Sequence, residues 1–154
     1  MPLTKTKPEP EKIGVKTKDL MQVPAITVSE GTTIDEAATV MWDQNIGSVI
    51  VVDKKGLMVG ILTERDVLYA VTKSLTSRAV PVSSVMSKTS LIASPNESIL
   101  TSVERMLKAG VRHLPVVDKE GMPVGMISMR DAIDLSEPLL KMVLGSPRKK
   151  TAHP

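Results

Sequence analysis

The amino-acid sequence predicts a mixed α/β (α+β) fold in which one strand–helix–strand–strand–helix unit occurs twice, the two units packing sheet to sheet as a pseudo-twofold pair. Three observations predict it. "GILTERD" (60–66) and "GMISMRD" (125–131) share Gly, a hydroxyl residue, Arg and Asp in one order, 65 positions apart. The same shift aligns Met21 with Met86, Ile34 with Ile99, Met41 with Met106, and "VVDKKG" (51–56) with "VVDKEG" (116–121), without a gap. An ungapped register in which turns fall on turns marks an internal repeat. Within each unit, short β-prone runs alternate with segments whose apolar residues recur at helical spacing.

The elements follow in order. Residues 25–28 and 90–93 are β-prone and run into the turn formers Ser29-Glu30-Gly31 and Ser94-Pro95-Asn96. Thr33 and Glu36 form a capping box, and apolar residues at 34, 37, 38 and 41 mark the buried face of the helix that follows. Ile99, Val103, Met106 and Leu107 are expected to do the same in the second unit. "GSVIVVD" and "LPVVD" are dense in β-branched residues, and "KKG" and "KEG" turn the chain back into antiparallel strands at 57–62 and 123–127. A second helix is expected from about Glu64 and from Met129.

The units are placed at 13–72 and 81–144, joined by 73–80, with flexible basic tails at 1–12 and 145–154. One such unit is marginal as an independent core, so two are expected to share their burial. "LLKMVL" (139–144) is too apolar for full exposure and either closes that core or meets a second chain.

Composition narrows the function. The chain has 154 residues, no Cys and two histidines, His113 and His153, which excludes disulfides and thiolate metal sites and leaves too few imidazoles for a typical zinc site. Trp42 and Tyr69 are the only aromatic residues, so rows of stacked bases have no platform. The net charge of +3 is carried by the ends: residues 1–18 and 145–154 hold +3 each, leaving −3 between them. The repeats therefore lack a basic nucleic-acid face, and nucleic acid is an unlikely partner. No apolar run is long enough to span a bilayer, and no signal-type segment opens the chain, so a cytoplasmic location is expected. P-loop, HExxH and GxSxG motifs are absent, and no carboxylate pair is marked for acid–base work, so an enzyme is not expected.

Thr63 and Ser128 each stand three residues before an aspartate, Asp66 and Asp131, at an expected helix start. This spacing caps a helix and sets the acid at its positive end. Capping is compatible with binding, because free amides at a helix start favour an anion and a carboxylate accepts paired hydroxyls.

Strand order, the "DLM" and "SVM" that precede the first strands, "GVRHLPVVD", and the two Gly-x-x-[Thr/Ser]-x-x-Asp strings together resemble a tandem pair of CBS domains (cystathionine-β-synthase-type repeats, a Bateman module) over residues 13–144. The resemblance implies a non-catalytic regulatory module that binds AMP, ADP or ATP, with S-adenosylmethionine a further possibility, in two clefts between the repeats. It implies that Asp66 and Asp131 accept ribose hydroxyls. It sets Thr63 and Ser128 against ribose or phosphate, and Arg130, with Arg65 held more weakly, against phosphate. Ile26, Leu91, Gly47, Ser48, Arg112 and His113 would border the adenine or phosphates; for His113 a surface position at a strand end is the alternative. The first cleft would have small Gly47-Ser48 where the second has Arg112-His113, so the clefts are expected to differ, the basic pair steering phosphates. A homodimer and an unknown regulated protein are the implied partners. The alternatives are a ligand-free interaction module and a nucleic-acid-associated protein working through its tails.

Overall fold

The computed structural model describes residues 14–89, 91–134 and 136. A short helix α1 (Thr17–Leu20) leads to β1 (Thr27–Ser29), α2 (Ile34–Asp43), β2 (Ser48–Val52), β3 (Met58–Thr63) and α3 (Glu64–Thr72). Two 3-10 turns, Thr76–Arg78 and Val82–Ser84, cross to α4 (Ile99–Ala109), β4 (His113–Val117) and β5 (Pro123–Ser128), and residues 129–134 are again helical. The expected repeat is present. Both tails, and "LLKMVL" at 139–144, lie outside the described residues.

The first sheet has the order β1-β2-β3, with β1 parallel to β2 and β2 antiparallel to β3. The second is a β4-β5 hairpin. Of the expected first strand of that unit, 90–93, the described residues 91–93 make one parallel bridge, between Ala93 and Val116. Two backbone bonds make it, Ala93 N to Pro115 O at 2.9 Å and Val117 N to Ala93 O at 3.0 Å. Pairing stops there because Ser94-Pro95 turns the chain away and Pro has no N–H for a ladder. Gly56 and Gly121 sit in the hairpin turns at φ 81° and 86°, a conformation that favours glycine.

Helix α2 begins with the expected box: Glu36 N donates to Thr33 Oγ1 at 3.4 Å and Thr33 N to Glu36 Oε2 at 3.1 Å. Its buried face of Ile34, Ala37 and Met41 packs with Val28, Val49, Val51, Leu62 and Ala70. In α4 one expectation fails, since Leu107 is 67% exposed. The buried stripe runs Ile99, Ser102 and Met106, which follows the helical period, and Leu107 lies off it. Its repeat mate Trp42 is exposed as well.

The ends of the units are exchanged, which no local pattern of residues announces. Val15, Leu20 and Met21 pack on the second core, whereas Val80, Val82, Val85 and Met86 pack on the first. Matching backbone bonds anchor each segment: Ile99 N to Val15 O at 3.1 Å and Thr17 N to Glu97 O at 2.9 Å, against Ile34 N to Val80 O at 2.9 Å and Val82 N to Thr32 O at 2.8 Å. Thr17 is fully buried, and its hydroxyl is satisfied by Ser102 Oγ at 2.8 Å, part of a network that includes the Glu97–Arg105 ion pair at 2.7 Å. Each core thus needs a segment from outside its own hairpin.

Ile50 and Ile61 are cross-strand partners on the face opposite Val49, Val51 and Leu62, yet both are buried. Their repeat mates, Pro115 and Met126, are likewise paired. Met58 N, at the start of β3, donates to Gly121 O, in the turn of the second hairpin, at 3.4 Å.

Candidate functional site

Each Gly-x-x-[Thr/Ser]-x-x-Asp string spans a strand end and a helix start. At the first, Thr63 N and Thr63 Oγ1 donate to Asp66 Oδ2 at 2.8 and 3.0 Å, and Asp66 N donates back to Thr63 Oγ1 at 3.4 Å. At the second, Ser128 N and Ser128 Oγ donate to Asp131 Oδ2 at 2.8 Å each, and Asp131 N returns a bond at 3.2 Å. Capping is therefore real at both sites. It occupies one oxygen of each acid and holds the other, Oδ1, in a fixed direction.

The glycines of the strings have a separate reason. A Cβ on Gly60 would stand 2.8 Å from Ser87 O, and one on Gly125 would stand 2.8 Å from Gln22 O. The exchanged segments cross the strands at these points, and only glycine lets the backbones approach so closely.

The strand starts converge on the helix starts. Ser48 pairs with Thr63, and His113 pairs with Ser128. Gly47 O accepts from Glu64 N at 3.0 Å, and Arg112 O accepts from Met129 N at 2.8 Å. His113 reaches across to the first unit: a Cβ on Gly47 would lie 2.8 Å from Glu64 Oε1 and 3.4 Å from His113 Cε1. Gly47, Glu64 and His113 thus meet where the two units join. Glu64 was not among the expected residues, although its place beside Thr63 in the repeated string pointed to it.

Ser48 is 5% exposed, and its Oγ is a buried side-chain oxygen with no hydrogen-bond partner among the described residues. Native folds leave few such groups, since each costs about 1–3 kcal/mol unless something satisfies it. Ile26 and Leu91 are half-buried and pack against the first and second cores. Arg65, Arg112 and Arg130 are exposed, and none forms an ion pair among the described residues. A surface depression of about 380 Å³ beside the start of α4, lined by Val15, Lys16 and Glu97 among others, contains none of the expected site residues.

Burial holds the His113 imidazole below its usual pKa; Glu64 and Asp131 oppose this, and Arg112 adds to it. The unfolded chain then binds the proton more readily, so this histidine's contribution to stability is complete above about pH 6.5 and is lost as pH falls toward the lowered folded value. Urea unfolding from pH 7.5 to 5 should show a steeper decline for the wild type than for His113→Asn. Parallel declines would mean that His113 is not held neutral by the fold.

Among the described residues no helix is long and apolar enough to cross a membrane, and no cluster of three or more His, Asp or Glu is placed to hold a metal ion.

The profile of the family described as CBS domain matches residues 18–73 and 82–137. A protein named CBS domain-containing protein YhcV, from Bacillus subtilis, is 36% identical over 114 residues, 74% of this chain and 80% of that protein. The CBS domain pair of protein MJ0100, solved with 5′-methylthioadenosine and S-adenosyl-L-methionine, superposes with a TM-score of 0.75 at 26% identity, covering 81% of this chain and 98% of that one. The CBS domain protein PAE2072 from Pyrobaculum aerophilum, solved with AMP, gives a TM-score of 0.75 at 26% identity over 85% of this chain and all of that one (100%).

Proposed function

The chain belongs to the CBS domain family as a tandem pair, and from that premise we propose that it is a non-catalytic regulatory module that senses adenosine nucleotides of the AMP, ADP and ATP series. One observation carries the reading: the Ser48 hydroxyl, buried and without a partner among the described residues, stands at the strand start paired with Thr63, whose helix cap leaves Oδ1 of Asp66 without a hydrogen bond among those residues. A ribose diol suits the acid, and a further hydrogen-bonding ligand group would satisfy the serine. Structural relatives solved with AMP and with S-adenosylmethionine support an adenosine ligand. Arg112 and Arg130, exposed and without an ion pair among the described residues, favour a phosphate over the cationic sulfonium of S-adenosylmethionine.

The proposed setting is the cytoplasm, and the proposed partners are a second copy of the chain and a regulated protein. Sedimentation at micromolar concentration, with and without ligand, tests the first partnership, and a monomer in both states would refute it. Melting curves with AMP, ADP, ATP and GTP test the function. A ligand at a hundred times its dissociation constant adds about 2.7 kcal/mol to the folded state, so adenine nucleotides should raise the Tm by several degrees and GTP should not. No shift with any adenosine compound would leave a ligand-free interaction module.

A further inference from the structure

We propose that Gln22 sets the second cleft apart from the first by competing with the ligand's ribose for Asp131, which makes that cleft the weaker one and the less strict about ribose hydroxyls. The proposal rests on the adenosine-binding reading above.

Its ground is a symmetry that the backbone keeps and one side chain breaks. Gln22 N donates to Met126 O at 2.8 Å and Met126 N to Gln22 O at 3.1 Å; in the first unit Ser87 N and Ile61 N exchange the equivalent bonds with Ile61 O and Ser87 O at 3.0 Å each. Met21 and Met86, the preceding residues, lie over Gly125 and Gly60. Residues 22 and 87 are both exposed. The glutamine is long enough to reach the acid, and its Nε2 donates to Asp131 Oδ1 at 3.2 Å. The serine is not, and among the described residues Asp66 Oδ1 accepts no hydrogen bond. A carboxylate oxygen accepts two hydrogen bonds; with Oδ2 of both acids filled by the helix cap, Oδ1 of Asp66 keeps both sites open among the described residues, whereas Oδ1 of Asp131 keeps one.

A ribose diol arriving at Asp66 therefore finds both sites of Oδ1 open, whereas at Asp131 its second hydroxyl must compete with the amide already in place. The reverse holds for a ligand that lacks the hydroxyl. It leaves a site on Asp66 Oδ1 unfilled, and sites that lose such a bond discriminate strongly. At Asp131 the amide stays, and the acid remains satisfied.

The experiment exchanges the two side chains. In an Asp66→Ala chain, where only the second cleft keeps its acid, Gln22→Ser should tighten AMP about 3–10-fold and widen the preference for AMP over 2′-deoxy-AMP by a similar factor, the size of one hydrogen bond. In an Asp131→Ala chain, Ser87→Gln should do the opposite at the first cleft. Isothermal titration reads both. Each substituted side chain is exposed and its backbone bonds are untouched, so melting of the ligand-free chains should not move. Unchanged affinities and unchanged ratios in both backgrounds overturn the proposal, as does loss of AMP binding on Gln22→Ser. A wild-type chain that binds no adenosine compound refutes the function itself at the first titration; a wild type that binds while the exchanges do nothing refutes only the role of Gln22.

Discussion

Alanine at Gly125 is expected to lower folding stability by about 1–3 kcal/mol, the usual cost of forcing an extra methyl into a packed site. The new Cβ would meet Gln22 O and Met21 Sδ, both at 2.8 Å. The sulfur can swing away, but the carbonyl cannot, because Gln22 is held to β5 by two backbone bonds. Gly60→Ala should behave alike, against Ser87 O at 2.8 Å and Met86 Sδ at 2.7 Å. Gly31, with nothing within 4 Å, is the control, and its alanine variant should stay within about 0.5 kcal/mol. Urea midpoints decide; equal midpoints for all three variants would mean that the crossing segments yield freely.

Asp66→Ala is expected to weaken AMP binding at the first cleft by about 1.5–3 kcal/mol, roughly tenfold or more, because a charged acceptor of hydroxyl bonds is lost. The same residue caps α3, so stability should also fall by about 1 kcal/mol. Thr63→Ala separates the effects on stability by breaking the cap while leaving the acid, although Thr63 itself is expected to touch the ligand. The sharper control is 2′-deoxy-AMP: if Asp66 reads the ribose, this ligand should lose most of the difference between wild type and Asp66→Ala. Titrations in which Asp66→Ala binds AMP as the wild type does would reduce the motif to a helix cap.

The repeat could be read from the residues because it rests on local chemistry. Capping spacing, β-branched runs and turn glycines act within a few positions, and they placed α2, α3 and both hairpins. β-Propensity at 90–93 cannot reveal that, among the described residues there, the sheet accepts only Ala93. Leu107 is apolar and adjoins the buried stripe in sequence, so spacing alone does not distinguish it from Met106, although it is exposed. In the site, Thr63, Asp66, Ser128 and Asp131 announced themselves by being written twice. Gln22 could not. It lies 109 positions from Asp131, and it breaks the repeat where the expected residues keep it. The orphaned state of Ser48 was equally hidden, because it depends on burial by chain that is distant in sequence.

The exchange of end segments also governs how the chain can fold as it leaves the ribosome. Residues 15–22 emerge early, but their partners, Glu97, Ile99, Ser102 and Met126, are made some 80 to 105 positions later. At about 5–20 residues per second, Gln22 waits roughly 5–20 s for Met126. Through that interval Val15, Leu20 and Met21 have no core to join, while the first unit can close as soon as residues 80–87 appear. Residues 15–22, made before the rest of the described fold, are thus among the last to dock, and their arrival places Gln22 on Asp131.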